Sequence, residues 1–313
     1  MANKTFPVSR RGDIERSDRR HRGSWPVHGW IGLGLVGIFW TLNWSLSGLR
    51  THWGFFPLWL GYGLAVDALV FCRRGDSLFT RDRRSFAELF LCSVPAWWLF
   101  ELINLRTENW LYEGKEYFSA VRYFLFSSLS FSTVMPAVFG TAELAGTFRW
   151  IDVRKRVMPF PVRPAFLRGM FAAGGLMLAL LLVWPRYFFP FVWLALYFLL
   201  EPINFRLGNR TLVGYLAGGD WRPVLALAAS GPICGFFWEM WNFYSFPRWV
   251  YRIPFVDVVH VFEMPLAGYA GYLTFPLELF ALYHLLQGIL RPRTAQNFIR
   301  LTPVDSLQGA GGR

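Results

Sequence analysis

The chain has 313 residues, a formal net charge of +12 and a sequence pI near 10.0. Hydrophobic residues make up 54% of it, and its 16 Trp and 32 Phe exceed the usage of ordinary water-soluble domains, so the composition indicates a polytopic membrane protein. The three cysteines, Cys72, Cys92 and Cys234, are far apart in the sequence, which excludes a disulfide framework or a cysteine zinc site.

In chain order, eight windows are apolar and long enough to cross a bilayer, which takes about 20 residues of helix. The predicted fold class is therefore all-α: a polytopic membrane helix bundle of about eight transmembrane helices. A basic arm at 1–24 carries few apolar residues, a cytoplasmic connector lies at 148–164 and a tail lies at 291–313, and we expect the arm and the tail to be mobile. The windows lie at 27–48, 54–72, 86–104, 118–146, 165–184, 187–205, 223–245 and 264–290.

The basic residues alternate from one side of the predicted bundle to the other. Of the 32 Lys and Arg, 25 fall in the arm, the tail and the loops after windows two, four and six. This positive-inside pattern predicts an integral protein of the bacterial inner (plasma) membrane with both termini in the cytoplasm. Binding of anionic lipid headgroups at the cytoplasmic face is enough to explain the net positive charge. We therefore predict no nucleic-acid binding.

The second half of the chain repeats the first within these windows. Each repeat holds four windows, at 25–147 and 165–290, and an even number of spans gives both halves the same orientation, related by an axis along the membrane normal. The matched positions include acids, amides and aromatic residues. They are Asp67 with Glu201, Glu101 with Glu239, Asn104 with Asn242, Trp110-Leu111-Tyr112 with Trp249-Val250-Tyr251, and Glu143 with Glu278.

The acid and amide pairs are the strongest candidates for a site. Glu101 and Asn104 are three residues apart and so share one helix face, as do Glu239 and Asn242. Charged groups are costly in lipid, whereas a hydrogen bond between membrane helices contributes only about 0.6 kcal/mol, so helix association alone is a weak reason to keep them. We predict that Glu101 and Glu239 are catalytic and that the two asparagines bind substrate.

The remaining repeated acids are predicted less specifically. Glu143 and Glu278 join the substrate-binding set, while for Asp67 and Glu201 an ion pair with a nearby arginine is as good an interpretation as function. We expect no metal, since no metal-binding motif occurs, and no cofactor, since no nucleotide-binding glycine loop has the required context.

The second half adds titratable groups that the first half lacks. His260 and Glu263 precede Met264-Pro265, whereas the corresponding positions before Met135-Pro136 are apolar. This asymmetry predicts that His260 and Glu263 act as catalytic proton acceptors. The alternative is an interfacial histidine bonded to solvent, with Glu263 paired to an arginine.

Four aromatic residues complete the candidate site. Trp238 and Trp241 flank Glu239 and are predicted to line an apolar pocket and stabilise positive charge. Trp249 and Tyr251, at matched spacing after the acid, are predicted to cap it. Core packing for the first pair, and an aromatic belt at the membrane surface for the second, are the alternatives.

The run Trp249-Val250-Tyr251, followed by a loop and then an acid beside proline, resembles the small integral-membrane lycopene cyclases. The matching segments are Glu263-Met264-Pro265 and Pro276-Leu277-Glu278-Leu279. The resemblance implies acids that protonate a polyene, although Leu279 stands where that family has a second carboxylate.

We therefore predict a membrane-embedded enzyme that acts on an isoprenoid or other lipid by carboxylate acid/base chemistry, of the cyclase or isomerase type. A proton-coupled transporter built on parallel repeats is one alternative, although no paired helix break is apparent at the midplane. A non-catalytic assembly factor is the other. Homo-oligomerisation is left open.

Overall fold

The computed structural model describes residues 24–151, 159–291 and 297–302, and within these ranges the chain is mostly helical. Two short antiparallel strand pairs lie outside the helices: β1 (Trp110–Glu113) with β2 (Arg248–Tyr251), and β3 (His260–Val261) with β4 (Met264–Pro265). Short 3-10 helices lie at Lys115–Tyr117, Phe189–Trp193 and Leu266–Ala270. The helices are α1 (Val27–Ser45), α2 (Thr51–Arg74), α3 (Leu78–Arg81), α4 (Arg83–Thr107), α5 (Ala120–Phe131), α6 (Val134–Ala145), α7 (Pro164–Val183), α8 (Pro185–Phe188), α9 (Ala195–Leu207), α10 (Leu212–Ala217), α11 (Arg222–Phe243) and α12 (Gly271–Leu290).

The described residues contain six helices long and apolar enough to cross a membrane, or seven if the bent pair Pro185–Trp193 and Ala195–Leu207 is one span. The prediction of a membrane helix bundle is thus supported, whereas the count of eight is not confirmed. The first window forms α1, which is helical but is not among the six. The sixth window is broken by a 43° bend. Residues 1–23 of the predicted arm, 152–158 of the connector, and 292–296 and 303–313 of the tail lie outside the described residues.

Two helices end in the same way. The residue after α2 is Gly75, with φ +80°, and the residue after α9 is Gly208, with φ +71°. Glycine adopts this left-handed conformation at little cost and so terminates a helix. In both places a short helix follows, α3 or α10.

The acids Asp67 and Glu201 hold the first turns of those short helices. Asp67 accepts hydrogen bonds from Ser77 Oγ at 2.6 Å and from the Phe79 backbone N at 2.9 Å, and Glu201 accepts one from the Val213 backbone N at 2.7 Å. Free N–H groups at a buried helix start need acceptors. The two acids therefore cap these short helices. The sequence suggests two other roles for them, an ion pair with an arginine or a place in the functional site.

The bundle is held together by helices from both halves of the chain. Helix α1 packs on α2, and α7 packs on α9, while α6 contacts α2 and α11, and α12 contacts α9, α11 and α4. The centre is aromatic: the Trp59 ring lies 5.0 Å from those of Trp238 and Trp241, and Trp59 is 1% exposed. Trp241 belongs to this core.

The tail returns to the bundle at residues 297–302. Ile299 and Leu301 are fully buried there, and the Arg300 backbone N donates to Glu143 at 2.6 Å. Arg81 binds the same carboxylate through both terminal nitrogens, at 2.9 and 3.1 Å. This part of the tail is packed rather than mobile, because its apolar residues gain by leaving water.

Candidate functional site

The strands β1 and β2 form a two-stranded antiparallel ribbon between the two halves of the chain. Trp110 stands opposite Tyr251, and Tyr112 opposite Trp249, with Leu111 and Val250 between them. The two Trp-x-Tyr motifs of the sequence are therefore partners in one ladder. Each tryptophan lies opposite the tyrosine of the other strand, so the two strands contribute equivalent residues to the ribbon.

The asparagines attach this ribbon to the helices. Asn104 Oδ1 accepts from the Asn109 backbone N at 2.9 Å, and Asn104 Nδ2 donates to the Trp110 carbonyl at 2.8 Å. Asn242 holds Trp249 in the same way, through the backbone N at 3.0 Å and the carbonyl at 2.7 Å. Both amides, predicted to bind substrate, thus bind the ribbon backbone. Their role in the structure is positioning.

Glu101 lies at the centre of the first acid cluster. Its Oε1 accepts hydrogen bonds from Trp97 Nε1 at 2.9 Å, from Trp110 Nε1 at 3.0 Å and from the Tyr112 hydroxyl at 2.6 Å. Helix α4 supplies Trp97 one turn before the acid, and the ribbon supplies the other two donors.

Glu239 lies at the centre of the second cluster, on α11. Its Oε1 accepts from the Tyr251 hydroxyl at 2.7 Å and from the Tyr272 hydroxyl at 2.6 Å. Its Oε2 is buried and has no hydrogen-bond partner among the described residues. Burying an unpaired carboxylate oxygen costs free energy, and among the described residues the Oε2 atoms of Glu201 and Glu278 are buried without a partner in the same way.

One apolar chamber lies between the two clusters and under the ribbon. Its empty volume is about 1080 Å³, including the space at its mouth. The Phe275 ring joins the two sides, at 5.8 Å from Trp97 and 6.3 Å from Trp238. Residues of both clusters line it, namely Trp97, Trp110, Tyr112, Trp238, Trp249, Tyr251 and Tyr272.

The carboxyl groups themselves lie behind this lining. The sequence predicts that the two acids share a cavity, and the structure brings their hydrogen-bond donors, rather than the acids, to its wall. The tyrosines whose hydroxyls donate to the acids, Tyr112, Tyr251 and Tyr272, belong to this lining, as do Lys115 and Arg248. Burial raises the pKa of the ribbon residues Tyr112 and Tyr251 well above 10.0, and the neighbouring glutamate of each, Glu101 or Glu239, raises it further. Both tyrosines therefore stay protonated at neutral pH.

The structure does not bring His260 or Glu263 to the chamber wall. His260 is 40% exposed, and its Nε2 lies 2.7 Å from Asp257 Oδ1. Glu263 is ion-paired with Arg248, which also binds Glu113 at 2.8 Å. Both residues therefore match the alternative of solvent-facing or ion-paired groups.

The other predicted substrate-binding residues divide in the same way. Trp238, Trp249 and Tyr251 line the chamber, whereas Trp241 packs in the core beside Trp59. Glu143 lies in its ion pair with Arg81. Glu278 is fully buried, and its Oε1 accepts from the Leu196 backbone N at 3.1 Å.

Tyr272 is the residue of the candidate site that sequence reasoning missed. It packs on two glycines of α11: an added Cβ at Gly231 would lie 1.7 Å from the Tyr272 carbonyl oxygen, and one at Gly235 would lie 2.4 Å from the Tyr272 ring. The sequence does contain a signal for this contact. Gly231 and Gly235 are four residues apart and precede Glu239 on the same helix, and such small residues allow a large side chain of a neighbouring helix to pack closely.

No group of three His, Cys, Asp or Glu side chains that could hold a metal ion occurs in the described part of the chain. No protein-family model, curated protein or solved structure matches the sequence or its fold.

Proposed function

We propose that this protein is a membrane-embedded enzyme that moves protons on a lipid substrate, such as an isoprenoid, bound in the chamber. One observation carries the proposal: the tyrosines whose hydroxyls donate to Glu101 and to Glu239 line a single apolar chamber. An acid at each of two walls suits chemistry in which one carbon gains a proton while another loses one.

The hydrogen bonds define how each cluster would act. At Glu101, a substrate proton moves to the Tyr112 hydroxyl oxygen as that hydroxyl's own proton moves to Glu101, which becomes neutral. At Glu239 the transfer runs the other way: the protonated acid passes its proton to Tyr251 as Tyr251 passes its own to a substrate carbon. The substrate is isomerised or cyclised with no net change in its protons, and exchange with water restores both acids.

This assignment keeps Glu239 as the proton donor, as expected from the sequence, and replaces His260 or Glu263 by Glu101 as the proton acceptor. The buried, unpaired oxygen of Glu239 favours a protonated acid, whereas three donors to one oxygen of Glu101 stabilise a carboxylate that can accept a proton. Protonation of an unsaturated chain is also the chemistry that the resemblance to lycopene cyclases implies.

Two parallel four-helix repeats provide the frame for this chemistry. The proposal is supported by the matched helix ends at Gly75 and Gly208, the matched clamps of Asn104 and Asn242, and the ribbon. A twofold axis along the membrane normal reverses a strand's direction only if the strand runs perpendicular to that axis. Because β1 and β2 are antiparallel, the ribbon would lie parallel to the membrane plane and cover the chamber. The basic ends of the spans would then face the cytoplasm, as the positive-inside pattern predicts.

Deuterium incorporation tests the proposal directly. Membranes of a host that makes the product are incubated in heavy water, and the lipids are analysed by mass spectrometry. An enzyme that protonates carbon leaves a deuterium that does not wash out. We expect Glu101→Gln and Glu239→Gln each to lower this incorporation by about 100-fold or more, the usual contribution of acid/base groups.

Glu201→Gln is the matched control. Glu201 is buried as completely as Glu239 but holds the start of α10 and not the chamber wall. We expect this variant to incorporate deuterium as the wild type does. If the double variant at residues 101 and 239 retains full incorporation, the acids are structural and the enzyme proposal fails.

A proton-coupled transporter is the second candidate, favoured by the broken span. The sixth window bends by 43°, and the fully buried Glu278 bonds Leu196 just after the break, with its Oε2 unpartnered among the described residues. Helix breaks beside buried acids are typical of transporter sites. Proton flux into reconstituted vesicles that Glu278→Gln abolishes and Glu239→Gln does not would select this function.

A further inference from the structure

The charge around the chamber is asymmetric although the ribbon is not. Lys115 and Arg248 line the chamber, and no Asp or Glu among the described residues does. Both cations lie at one end of the ribbon, since Arg248 stands opposite Glu113 and Lys115 follows Glu113 by two residues. The matched positions at the other end are Pro254 and Asn109, which are uncharged.

The two cations differ in their surroundings. Arg248 is held by carboxylates on both sides, Glu113 and Glu263, which fix the guanidinium and offset its charge. Lys115 has no carboxylate within ion-pair distance in the described ranges, and its Nζ lies 4.8 Å from the centre of the Tyr123 ring. An ammonium over an aromatic face, at the edge of an apolar space, keeps its charge available to a bound anion.

Lys115 is also close to the chemistry. The Tyr123 ring lies 6.2 Å from that of Tyr112, whose hydroxyl donates to Glu101. The cation is therefore one aromatic ring away from the group proposed to take a proton from the substrate. Beyond it the chamber wall is aromatic, with Phe118, Phe126 and other rings.

We infer that the ligand of this chamber is an amphipathic lipid with one apolar chain and an anionic headgroup, and that Lys115 binds the headgroup beside the Glu101 cluster. The inference rests on the proposed function and names its substrate class. Lys115 is exposed at the edge of the chamber, so a neutral hydrocarbon would gain nothing from its charge, and a cationic amphiphile would be repelled by it. The carbon that loses a proton would then lie near the headgroup, and the carbon that gains one would lie farther along the chain, beside the Glu239 cluster.

Native mass spectrometry of the detergent-purified full chain tests this with four probes: dodecyl phosphate, dodecanol, dodecyltrimethylammonium and inorganic phosphate. We expect one dodecyl phosphate to bind at least about tenfold more tightly than dodecanol, as one charge-assisted contact allows. Equal binding of dodecyl phosphate and dodecanol overturns the inference. Binding of inorganic phosphate as tight as that of dodecyl phosphate overturns the lipid assignment, because the chain would then contribute nothing.

Variants locate the headgroup site. Lys115→Gln is expected to weaken dodecyl phosphate about tenfold and dodecanol less than about twofold, and Lys115→Arg to restore the preference. Arg252→Gln is the control, since it removes an equal charge from an exposed position next to the ribbon that does not line the chamber. A preference kept by Lys115→Gln, or lost equally in Arg252→Gln, contradicts the assignment.

The binding test is independent of turnover. If Glu239→Gln binds dodecyl phosphate normally but no variant, nor the wild type, incorporates deuterium, the enzyme proposal fails while the ligand class stands. If deuterium incorporation depends on Glu239 but not on Lys115, and the phosphate preference is absent, the ligand class alone fails.

Discussion

The contact between α11 and Tyr272 allows a sharp test of the second cluster. An alanine Cβ at residue 235 would lie 2.4 and 2.5 Å from two Tyr272 ring carbons, closer than real Cβ contacts come. Gly235→Ala must therefore displace the ring. Because the Tyr272 hydroxyl donates to Glu239 at 2.6 Å, the displacement also breaks this bond.

The expected cost follows from these contacts. Overpacking a tight interface costs about 1–3 kcal/mol, and losing a hydrogen bond to a carboxylate costs about 1.5–3 kcal/mol. The better helix propensity of alanine returns at most about 1 kcal/mol. We expect Gly235→Ala to lower the free energy of unfolding by about 3 kcal/mol, and Gly231→Ala by more, since its Cβ would meet the Tyr272 carbonyl at 1.7 Å and backbone cannot rotate away as a ring can.

Thermal unfolding in detergent, followed by far-UV circular dichroism, measures the effect. The control is Gly175→Ala in the middle of α7, where an added Cβ meets nothing within 4 Å. We expect the control to melt at or slightly above the wild-type temperature and to keep its deuterium incorporation. If Gly235→Ala melts and turns over like Gly175→Ala, Tyr272 does not depend on this contact and the second cluster is misassigned.

Three further predictions concern other parts of the site. Arg81→Gln should lower the free energy of unfolding by about 3–5 kcal/mol, because it leaves the Glu143 carboxylate buried without its partner. The double variant with Glu143→Gln should recover part of this loss. Strictly additive shifts of the melting temperature would argue against the ion pair. Asn242→Ala should cost about 1–3 kcal/mol by leaving ribbon backbone groups unsatisfied, and it should also slow deuterium incorporation; unchanged behaviour would contradict its positioning role. Burial raises the pKa of Tyr112 and of Tyr251, so the folded state favours the protonated phenols and the free energy of unfolding should fall as the pH rises above about 10. The fall should be smaller when both tyrosines are replaced by Phe. Equal pH profiles of the wild type and this double variant would count against the burial of the two tyrosines.

Composition and local spacing were sufficient for the helical, membrane-type character of the chain and for part of the site. An apolar window long enough for a bilayer forms a helix wherever it occurs, because its backbone groups have no other partners in lipid. Repetition along the chain also selected Glu101, Glu239 and the Trp-x-Tyr segments, all of which the structure places at or behind the chamber wall. The spacing of Glu101 and Asn104 correctly placed them on one helix turn.

Which partner each of those residues contacts depends on chain segments far apart in the sequence. Asn104 and Asn242 bind ribbon backbone, Tyr272 joins Glu239 across a helix interface, and Glu143 meets a returning tail segment. Periodicity describes which face of a helix a residue occupies, but a face carries no information about the element that packs on it. His260 and Glu263 lie away from the chamber for the same reason: their position follows from how the β3–β4 hairpin and Arg248 pack, and this packing is a long-range property of the folded chain.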